Sequence, residues 1–213
     1  MANVTKTTDA APPQRRRYAP RLPAEERREQ LLDAALTVLV REGYGNVTIE
    51  AIAREADVTR PVVYSAFDGL EPLLHALLDR TEKRGLERSL AIIAAAGDTS
   101  DVDQWVLRAA DALFDEVRAE PDIWRPILGL VPGVPAIVSQ RITETREVIR
   151  GFLASGLDGS KQLRGRPDLD VEVLSHVVVA TAEEFGRLAL EDPPRFEKER
   201  LLATLKQLLG LLR

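Results

Sequence analysis

The residues from Val58 to Phe67, VTRPVVYSAF, place an arginine, a tyrosine and two small hydroxyls in one short apolar stretch. A guanidinium and hydroxyls of this kind donate hydrogen bonds to acceptors such as phosphate oxygens and the edges of bases. The stretch is therefore a candidate binding surface. The alternative is a connector inside a helical bundle that happens to carry an arginine.

The composition excludes several kinds of site. The 213-residue chain has no cysteine, so disulfides and thiolate metal sites are excluded. Its two histidines, His75 and His176, are far apart in sequence. There is no glycine-rich phosphate loop, nucleophile elbow or histidine–carboxylate metal spacing. We therefore expect no catalytic residues, metal or cofactor, and an enzyme is the weakest interpretation.

Charge is unevenly distributed along the chain. Residues 1–22 contain five basic residues and one acidic residue, a net charge of +4, and since the whole chain carries −5 the remainder carries −9. The segment is small, polar and rich in proline, which predicts a disordered basic arm that either binds phosphates or only improves solubility. Its candidate DNA contacts are Arg15, Arg16, Arg17 and Arg21.

The sequence shows no sign of a membrane segment. No apolar run approaches the roughly 20 residues that span a bilayer. The N-terminus lacks the apolar region of a signal peptide. We expect a soluble cytoplasmic protein with no membrane partner.

Helical periodicity organises the first 70 residues into three helices. The run EQLLDAALTVLVREG repeats apolar residues at helical spacing, and Gly43 is expected to end this helix as a left-handed cap. Thr48 is placed to cap a short second helix, and Asp57 tolerates positive φ in the turn that follows. A third helix starts near Thr59 or Arg60, and the proline that follows makes Arg60 itself a candidate cap.

Two short helices joined by a tight turn, after a longer helix, form a helix-turn-helix, whose second helix enters the major groove of DNA. The spacing directs Val63 and Phe67 inward, at positions i and i+4. The residues left on the other sides, and available to a partner, are Arg60, Pro61, Val62, Tyr64 and Ser65.

The same region resembles the TetR family of one-component bacterial regulators. The resemblance covers roughly residues 27–78, from LLDAAL in the first helix through Gly43-Tyr44 and Thr48 to ADVT and Phe67. It implies a three-helix DNA-binding domain, followed by a larger helical domain that holds a small-molecule pocket and dimerises through its last two helices. The DNA contacts that it implies are Thr48, Thr59, Arg60, Val62, Tyr64 and Ser65.

The chemistry of these residues suits DNA. Threonine hydroxyls beside helix N-termini suit phosphates, Arg60 suits guanine O6 and N7, and Pro61 with Val62 suits a thymine methyl. The sequence departs from the family pattern at Asp57, Ala66 and Leu70, where a glycine, a histidine or aromatic, and a basic residue are common. The missing cation at Leu70 favours the rival interpretation, a helical adaptor or scaffold protein whose helix-turn-helix no longer binds DNA.

The predicted fold class is all-α, because no stretch shows the alternation typical of strands. We predict a disordered arm over 1–22, a helix-turn-helix domain over 23–68 and an effector-binding and dimerisation domain over 69–213. The helices of the last domain are predicted over Leu70–Ala96 with or without a break near Gly85, Asp101–Ala119, a short helix in PDIWRPILGLVPGVP that proline and glycine break, 136–157, about 169–191 and about 194–212.

Apolar residues of the large domain predict two further surfaces. Candidates for the wall of an effector pocket are Leu90, Trp105, Phe114, Trp124, Ile127, Leu128 and Phe152. Candidates for a homodimer interface, on the wide apolar faces of the last two helices, are Val173, His176, Val177, Ala180, Leu201, Leu205 and Leu208. The function expected from the whole sequence is a ligand-responsive regulator, a repressor released from a palindromic DNA operator by a small, largely apolar effector.

Overall fold

The computed structural model describes residues 22–158 and 170–211. All regular elements in this part of the chain are helices, so the all-α prediction is confirmed. No helix in these two ranges is long and apolar enough to cross a membrane. The helices are α1 (Ala24–Glu42), α2 (Ile49–Glu55), α3 (Arg60–Ala66), α4 (Leu70–Ala95), α5 (Val102–Ala119), α6 (Pro121–Ile127), α7 (Ala136–Asp158), α8 (Val171–Ala189) and α9 (Lys198–Leu211), with a 3-10 turn at Tyr44–Asn46.

The end of α1 differs from the predicted left-handed cap. Gly43 has φ +84° as a glycine cap requires, and its N–H donates to the Leu39 carbonyl at 2.9 Å. Its ψ of 165°, however, is extended, so the left-handed prediction is wrong. The chain leaves α1 alongside Pro132, whose carbonyl accepts the Tyr44 N–H at 3.2 Å. A Cβ on Gly43 would lie 3.2 Å from that oxygen, so this close approach favours glycine.

The caps of the helix-turn-helix follow from local chemistry. Thr48 caps α2, since its Oγ1 accepts the Ala51 N–H at 3.1 Å, and Asp57 has φ +51° in the turn, so both predictions are confirmed. The prediction of Arg60 as the cap of α3 is wrong. Thr59 is the extended N-cap, because its carbonyl accepts the Val62 N–H at 2.9 Å and so begins the first turn.

Helix α4 continues through Gly85 without a break. A Cβ on Gly85 would lie 2.5 Å from Cδ1 of Ile127, so the glycine allows α6 to pack closely against α4. Helix α9 starts at Lys198, four residues later than predicted, after the irregular segment that contains Pro193 and Pro194. Proline cannot continue a regular helix at these positions.

One apolar core runs from the first three helices into the large domain. Buried side chains of α1, α2 and α3, such as Leu39, Ile52 and Val63, share a cluster with Ile123 and Trp124 of α6. A second cluster lies among α5, α7 and α8 and includes Trp105, Leu157 and Val179. The helix-turn-helix is therefore packed directly on α6, and no flexible linker separates it from the large domain.

The cap at Thr48 gives a direct test of the local structure. Thr48→Ala should lower the free energy of unfolding by about 1 kcal/mol, because it leaves the Ala51 N–H without its acceptor. Thr59→Ala is the matched control, since Thr59 makes no side-chain cap hydrogen bond and should cost less than about 0.5 kcal/mol. Urea unfolding followed by circular dichroism measures both, and equal losses would contradict the capping role.

Candidate DNA-binding surface and ligand cavity

Helix α3 buries one face and exposes the other. Val63 is fully buried and Phe67, just after the helix, is nearly so. Tyr64 is 49% exposed and Val62 is half-buried. The remaining predicted DNA contacts, all of them exposed, are Thr48, Thr59, Arg60, Pro61 and Ser65. The inward and outward residues therefore divide as the helical spacing predicts, and contact with DNA stays a prediction.

The polar groups on this face differ in whether their hydrogen bonds are already made within the protein. The Arg60 guanidinium makes no hydrogen bond or ion pair with any other described residue. Ser65 Oγ donates to the Val62 carbonyl at 2.7 Å, and Thr48 Oγ1 accepts the cap hydrogen bond of α2. Arg60 is thus the strongest free donor on α3. The arginines of the N-terminal arm, Arg15, Arg16, Arg17 and Arg21, lie outside the described residues.

Two side chains of α1 hold the ends of α2 and α3 in place. Arg28 Nη1 donates to the Ala66 carbonyl at 2.5 Å, and its guanidinium carbon lies 4.1 Å from the centre of the Phe67 ring. Gln30 Nε2 donates to the carbonyl of Ala56, at the end of α2, at 3.1 Å. Both contacts satisfy carbonyls that a helix end leaves without a partner. Sequence reasoning missed them, because Arg28 and Gln30 look like ordinary solvent-facing residues of α1.

Helix α4 is joined to α1 by an ionic cluster. Arg80 Nη1 lies 2.9 Å from Glu29 Oε2 and 2.7 Å from Asp33 Oδ1, and the Arg80 side chain is only 10% exposed. Arg84 Nη2 lies 3.5 Å from the same oxygen of Glu29. Charge-assisted hydrogen bonds that are shielded from water resist bending and screening better than exposed pairs. The cluster couples the position of α4 to that of α1.

A cavity of about 570 Å³ lies within the large domain, between helices α4 to α9. Its wall is mostly aliphatic and aromatic, and it includes both tryptophans of the chain. Four of the residues predicted for an effector pocket line it, namely Trp105, Trp124, Ile127 and Leu128. The volume falls in the range of about 300–1,000 Å³ that is typical of small-molecule sites.

The other three residues predicted for the pocket do not line this cavity. Phe114 is buried elsewhere, with its ring centre 5.7 Å from that of Phe185. Phe152 is 54% exposed on α7, and Leu90 is half-buried on α4. Their contact with an effector stays a prediction that this cavity does not support, because apolar spacing indicates a buried helix face without indicating what covers it.

Charged groups on the cavity wall are paired across helices. Arg146 of α7 directs Nε and Nη2 at the two carboxylate oxygens of Glu183 of α8, with an Nη2–Oε2 distance of 3.1 Å. Glu82 of α4 pairs with Arg141 of α7, which also contacts Asp79 Oδ1 at 2.6 Å. The hydrogen bond to Asp79 raises the pKa of Arg141 above its ordinary value, although partial desolvation opposes the shift.

A smaller cavity of about 340 Å³ lies between α4, α6 and α7, beside the end of α1. It is lined by Tyr44, Leu70 and His75 on one side and by Pro126 and Ile137 on the other. Burial raises the pKa of the Tyr44 hydroxyl here. Leu70, at the position where a cation is common in similar sequences, is half-buried and packs against the core.

The predicted dimer residues fall into two groups. Val173 is 57% exposed, and the other exposed members are His176, Val177, Ala180 and Leu208. Leu201 and Leu205 are buried, on a helix that packs against α5. Their place in an interface stays a prediction that this burial does not support, because α9 uses that face within its own chain. Val148 and Phe152 are also exposed, on α7, which packs against α8.

Among the described residues, no group of three or more His, Asp or Glu side chains is arranged to hold a metal ion. The chemistry available here is hydrogen bonding and apolar contact. Neither the outward face of α3 nor the cavity contains a nucleophile held by a base in the manner of a catalytic pair.

Comparison with known proteins identifies the first part of the chain. Residues 31–77 match the family model described as bacterial regulatory proteins, tetR family. The HTH-type transcriptional regulator SrpR of Pseudomonas putida is 40% identical over 82 residues, which are 34% of this chain and 38% of SrpR. The chain therefore spans little more than a third of SrpR's length.

Solved structures show that the fold is shared over nearly the whole chain. A TetR-like transcriptional regulator from Rhodococcus sp. RHA1 superposes with a TM-score of 0.64 at 21% identity, over 88% of this chain and 96% of that chain. The regulator FadR from Bacillus subtilis, solved in complex with stearoyl-CoA, gives a TM-score of 0.63 at 18% identity, over 85% of this chain and 96% of that chain.

The contacts of Arg28 predict a local effect on α3. Arg28→Ala should speed amide hydrogen exchange in α3, because the Ala66 carbonyl and the Phe67 ring lose the guanidinium that holds them. Lys83→Ala is the control, since Lys83 is exposed on α4 and pairs only with Glu87 one turn away. Exchange measured by mass spectrometry should rise at residues 60–66 for Arg28→Ala alone, and unchanged rates would contradict the role.

Proposed function

We propose, since residues 31–77 place this chain in the tetR family of bacterial regulatory proteins, that it is a ligand-responsive transcriptional regulator that binds double-stranded DNA. The observation that carries the proposal is the exposed face of α3 with its free Arg60, held against α1 by Arg28. A helix that packs on α1 with one face and exposes a polar opposite face suits the major groove.

In this proposal the residues of the face have distinct roles. Arg60 reads guanine, while Pro61 and Val62 contact a thymine methyl. The hydroxyls of Thr48 and Thr59 and the phenol of Tyr64 bind the phosphate backbone, and Ser65 contacts the groove beside them. The arginines of the basic arm supply further phosphate contacts, which offset the missing cation at Leu70.

The cavity is the proposed effector site. Helix α4 lines it with Gly85 and Ser89, and one turn earlier the same helix holds α1 through Arg80. A ligand that enlarges the cavity therefore moves α4 and the helix-turn-helix together. It releases DNA only if it binds the DNA-free conformation more tightly than the DNA-bound one. The protein then acts as a repressor that a small, largely apolar effector removes from its operator.

A homodimer completes the proposal. The exposed apolar residues of α8 support an interface between two copies, since scattered single apolar residues are ordinary but a contiguous patch marks an interaction surface. A two-fold dimer places two copies of α3 in successive major grooves, about 34 Å apart, on a palindromic operator. The site of action is the cytoplasm, where bacterial DNA lies.

The rival function is a helical adaptor whose helix-turn-helix does not bind DNA. Ala66 and Leu70 favour it, because they replace residues with which similar sequences commonly contact DNA. Against it stands Arg60, which is exposed and has no partner among the described residues. Binding to DNA from the protein's own promoter region distinguishes the two, and no sequence-selective binding at any salt concentration supports the adaptor.

Arg60 is the residue that tests DNA recognition. Arg60→Ala should weaken operator binding by about 1–3 kcal/mol and relax specificity at one base pair, because a bidentate contact to guanine is lost. Fluorescence anisotropy across a salt series measures the affinity, with Lys83→Ala as the control. Uniform weakening on all sequences, with the slope of log K against log salt flatter by about 0.9, would show a phosphate contact instead.

Val173 tests the interface. Val173→Asp should convert the dimer to a monomer at micromolar concentration, because it introduces a charge at the centre of a buried apolar contact. Leu130→Asp is the matched control, since Leu130 is also exposed but lies outside α8 and α9. Sedimentation velocity measures the mass of both variants. A Val173→Asp variant that stays dimeric would exclude this face.

A further inference from the structure

We infer that the cavity selects a neutral, largely apolar ligand with a hydrogen-bond acceptor, and that the indole N–H of Trp124 donates to that acceptor. The inference rests on the proposed function and deepens it by naming the chemical class of the effector. Two independent observations carry it: the pairing of every charged side chain on the cavity wall, and the unused donor of Trp124.

Three charged side chains line the cavity, Glu82, Arg146 and Glu183. Arg146 already binds both carboxylate oxygens of Glu183, and Glu82 is paired with Arg141 from outside the wall. An anionic ligand therefore meets no free cation, and a cationic ligand meets no free carboxylate. Either ligand must compete for a pair that is about three-quarters buried or add a net charge beside it, and both are unfavourable away from water.

The hydroxyls of the wall are also engaged within the protein. Ser89 Oγ donates to the Gly85 carbonyl at 2.8 Å, Thr181 Oγ1 donates to the Val177 carbonyl at 2.8 Å, and Thr145 Oγ1 donates to Glu82 Oε1 at 3.2 Å. Their oxygens can still accept, but their protons are taken. The wall thus offers little to a ligand that needs several donors.

Trp124 brings to the wall a buried donor that no described residue uses. Its side chain is 4% exposed, and its Nε1 is buried without an acceptor in the described part of the chain. Burying an indole N–H with no partner is unfavourable, so native proteins rarely do it without a reason. A carbonyl, ester or ether oxygen of a ligand that reaches this N–H removes the penalty. A second acceptor atom on the same ligand would find no comparable donor on the wall.

The position of Trp124 also connects recognition to response. The residue lies on α6 and belongs to the core that includes Leu39 of α1. A ligand that shifts Trp124 therefore also shifts core side chains that pack against the inner face of the first three helices. An apolar ligand without an acceptor fills the same space but makes no hydrogen bond to Trp124 of α6. We therefore expect it to be the weaker effector.

Probes with ten-carbon chains separate the classes. We expect isothermal titration calorimetry to show that 2-decanone binds the full-length protein at least tenfold more tightly than decanoate or decylammonium. Both tryptophans line the cavity, so quenching of intrinsic fluorescence reports the same site. Equal binding of decanoate or decylammonium overturns the neutral class, and so does the absence of binding for every 2-alkanone from eight to twelve carbons.

Trp124→Phe tests the donor, with Trp105→Phe as the matched control. Removing the indole N–H should weaken 2-decanone binding about three- to tenfold and leave the binding of 1-decene, which has no acceptor, within twofold. Trp105→Phe should alter both probes by the same factor, and a loss confined to 2-decanone in this variant would assign the donor to Trp105 instead. If Trp124→Phe also weakens both probes equally, Trp124 is not the donor.

Glu183→Gln tests the charge pairing. The isosteric amide leaves Arg146 with its positive charge unpaired, so decanoate affinity should rise at least tenfold while 2-decanone changes less than twofold. Glu184→Gln is the control, because Glu184 is exposed and pairs with Arg187 outside the wall. Arg146→Gln is the complementary variant and should favour decylammonium. No gain of charged-ligand binding in either variant overturns the pairing argument.

The ligand class and the proposed function are tested by separate measurements, so either can be contradicted without the other. Calorimetry without DNA reads the chemistry of the cavity, and release of operator DNA by 2-decanone reads the regulatory response. A protein that binds 2-decanone as described but never binds DNA contradicts only the proposed function. A protein that binds DNA and is released by decanoate instead contradicts only the ligand class.

Discussion

The packing of α6 against α1 is the contact on which the rest of the structure depends. Ile123 and Trp124 of α6 are buried in the same core as Leu39 of α1 and Val63 of the recognition helix. Because that core is continuous, a shift of α6 must be followed by the helix-turn-helix or must open a gap in close-packed side chains. The short, proline-containing α6 therefore fixes the position of the first three helices relative to the large domain, and it does so from the side opposite the exposed face of α3.

The ionic cluster of α4 adds a second connection of different character. Apolar packing along α6 is non-directional, whereas the pairs of Arg80 with Glu29 and Asp33 hold α4 and α1 at one relative position. The cavity lies against both connections, since Glu82 and Gly85 of α4 and Trp124 of α6 line it. In the proposed function, a ligand that changes the distance between α4 and α6 therefore acts on both connections at once.

Local chemistry made part of this structure predictable from sequence. Thr48 and Asp57 act on neighbours within three residues, and Val63 and Phe67 follow from helical period alone. The contact of Arg28 with Ala66 joins residues 38 apart, so only the folded chain brings its partner near. The apolar faces show the same limit: sequence marks Leu205 and Phe152 as apolar helix positions, but whether α5, a ligand or a second copy covers them depends on tertiary packing.

Two glycines lie within helices that pack against α6, and neither is part of a turn. A Cβ on Gly85 of α4 would lie 2.5 Å from Ile127, and a Cβ on Gly186 of α8 would lie 3.0 Å from Leu128. A methyl group at either position would meet the end of an aliphatic side chain of the α6 region, while the paired charges of the cavity wall, Glu82, Arg146 and Glu183, would keep their partners. The close seating of α6 and the chemistry of the cavity wall are thus encoded by different residues, so one can change in a related sequence without the other.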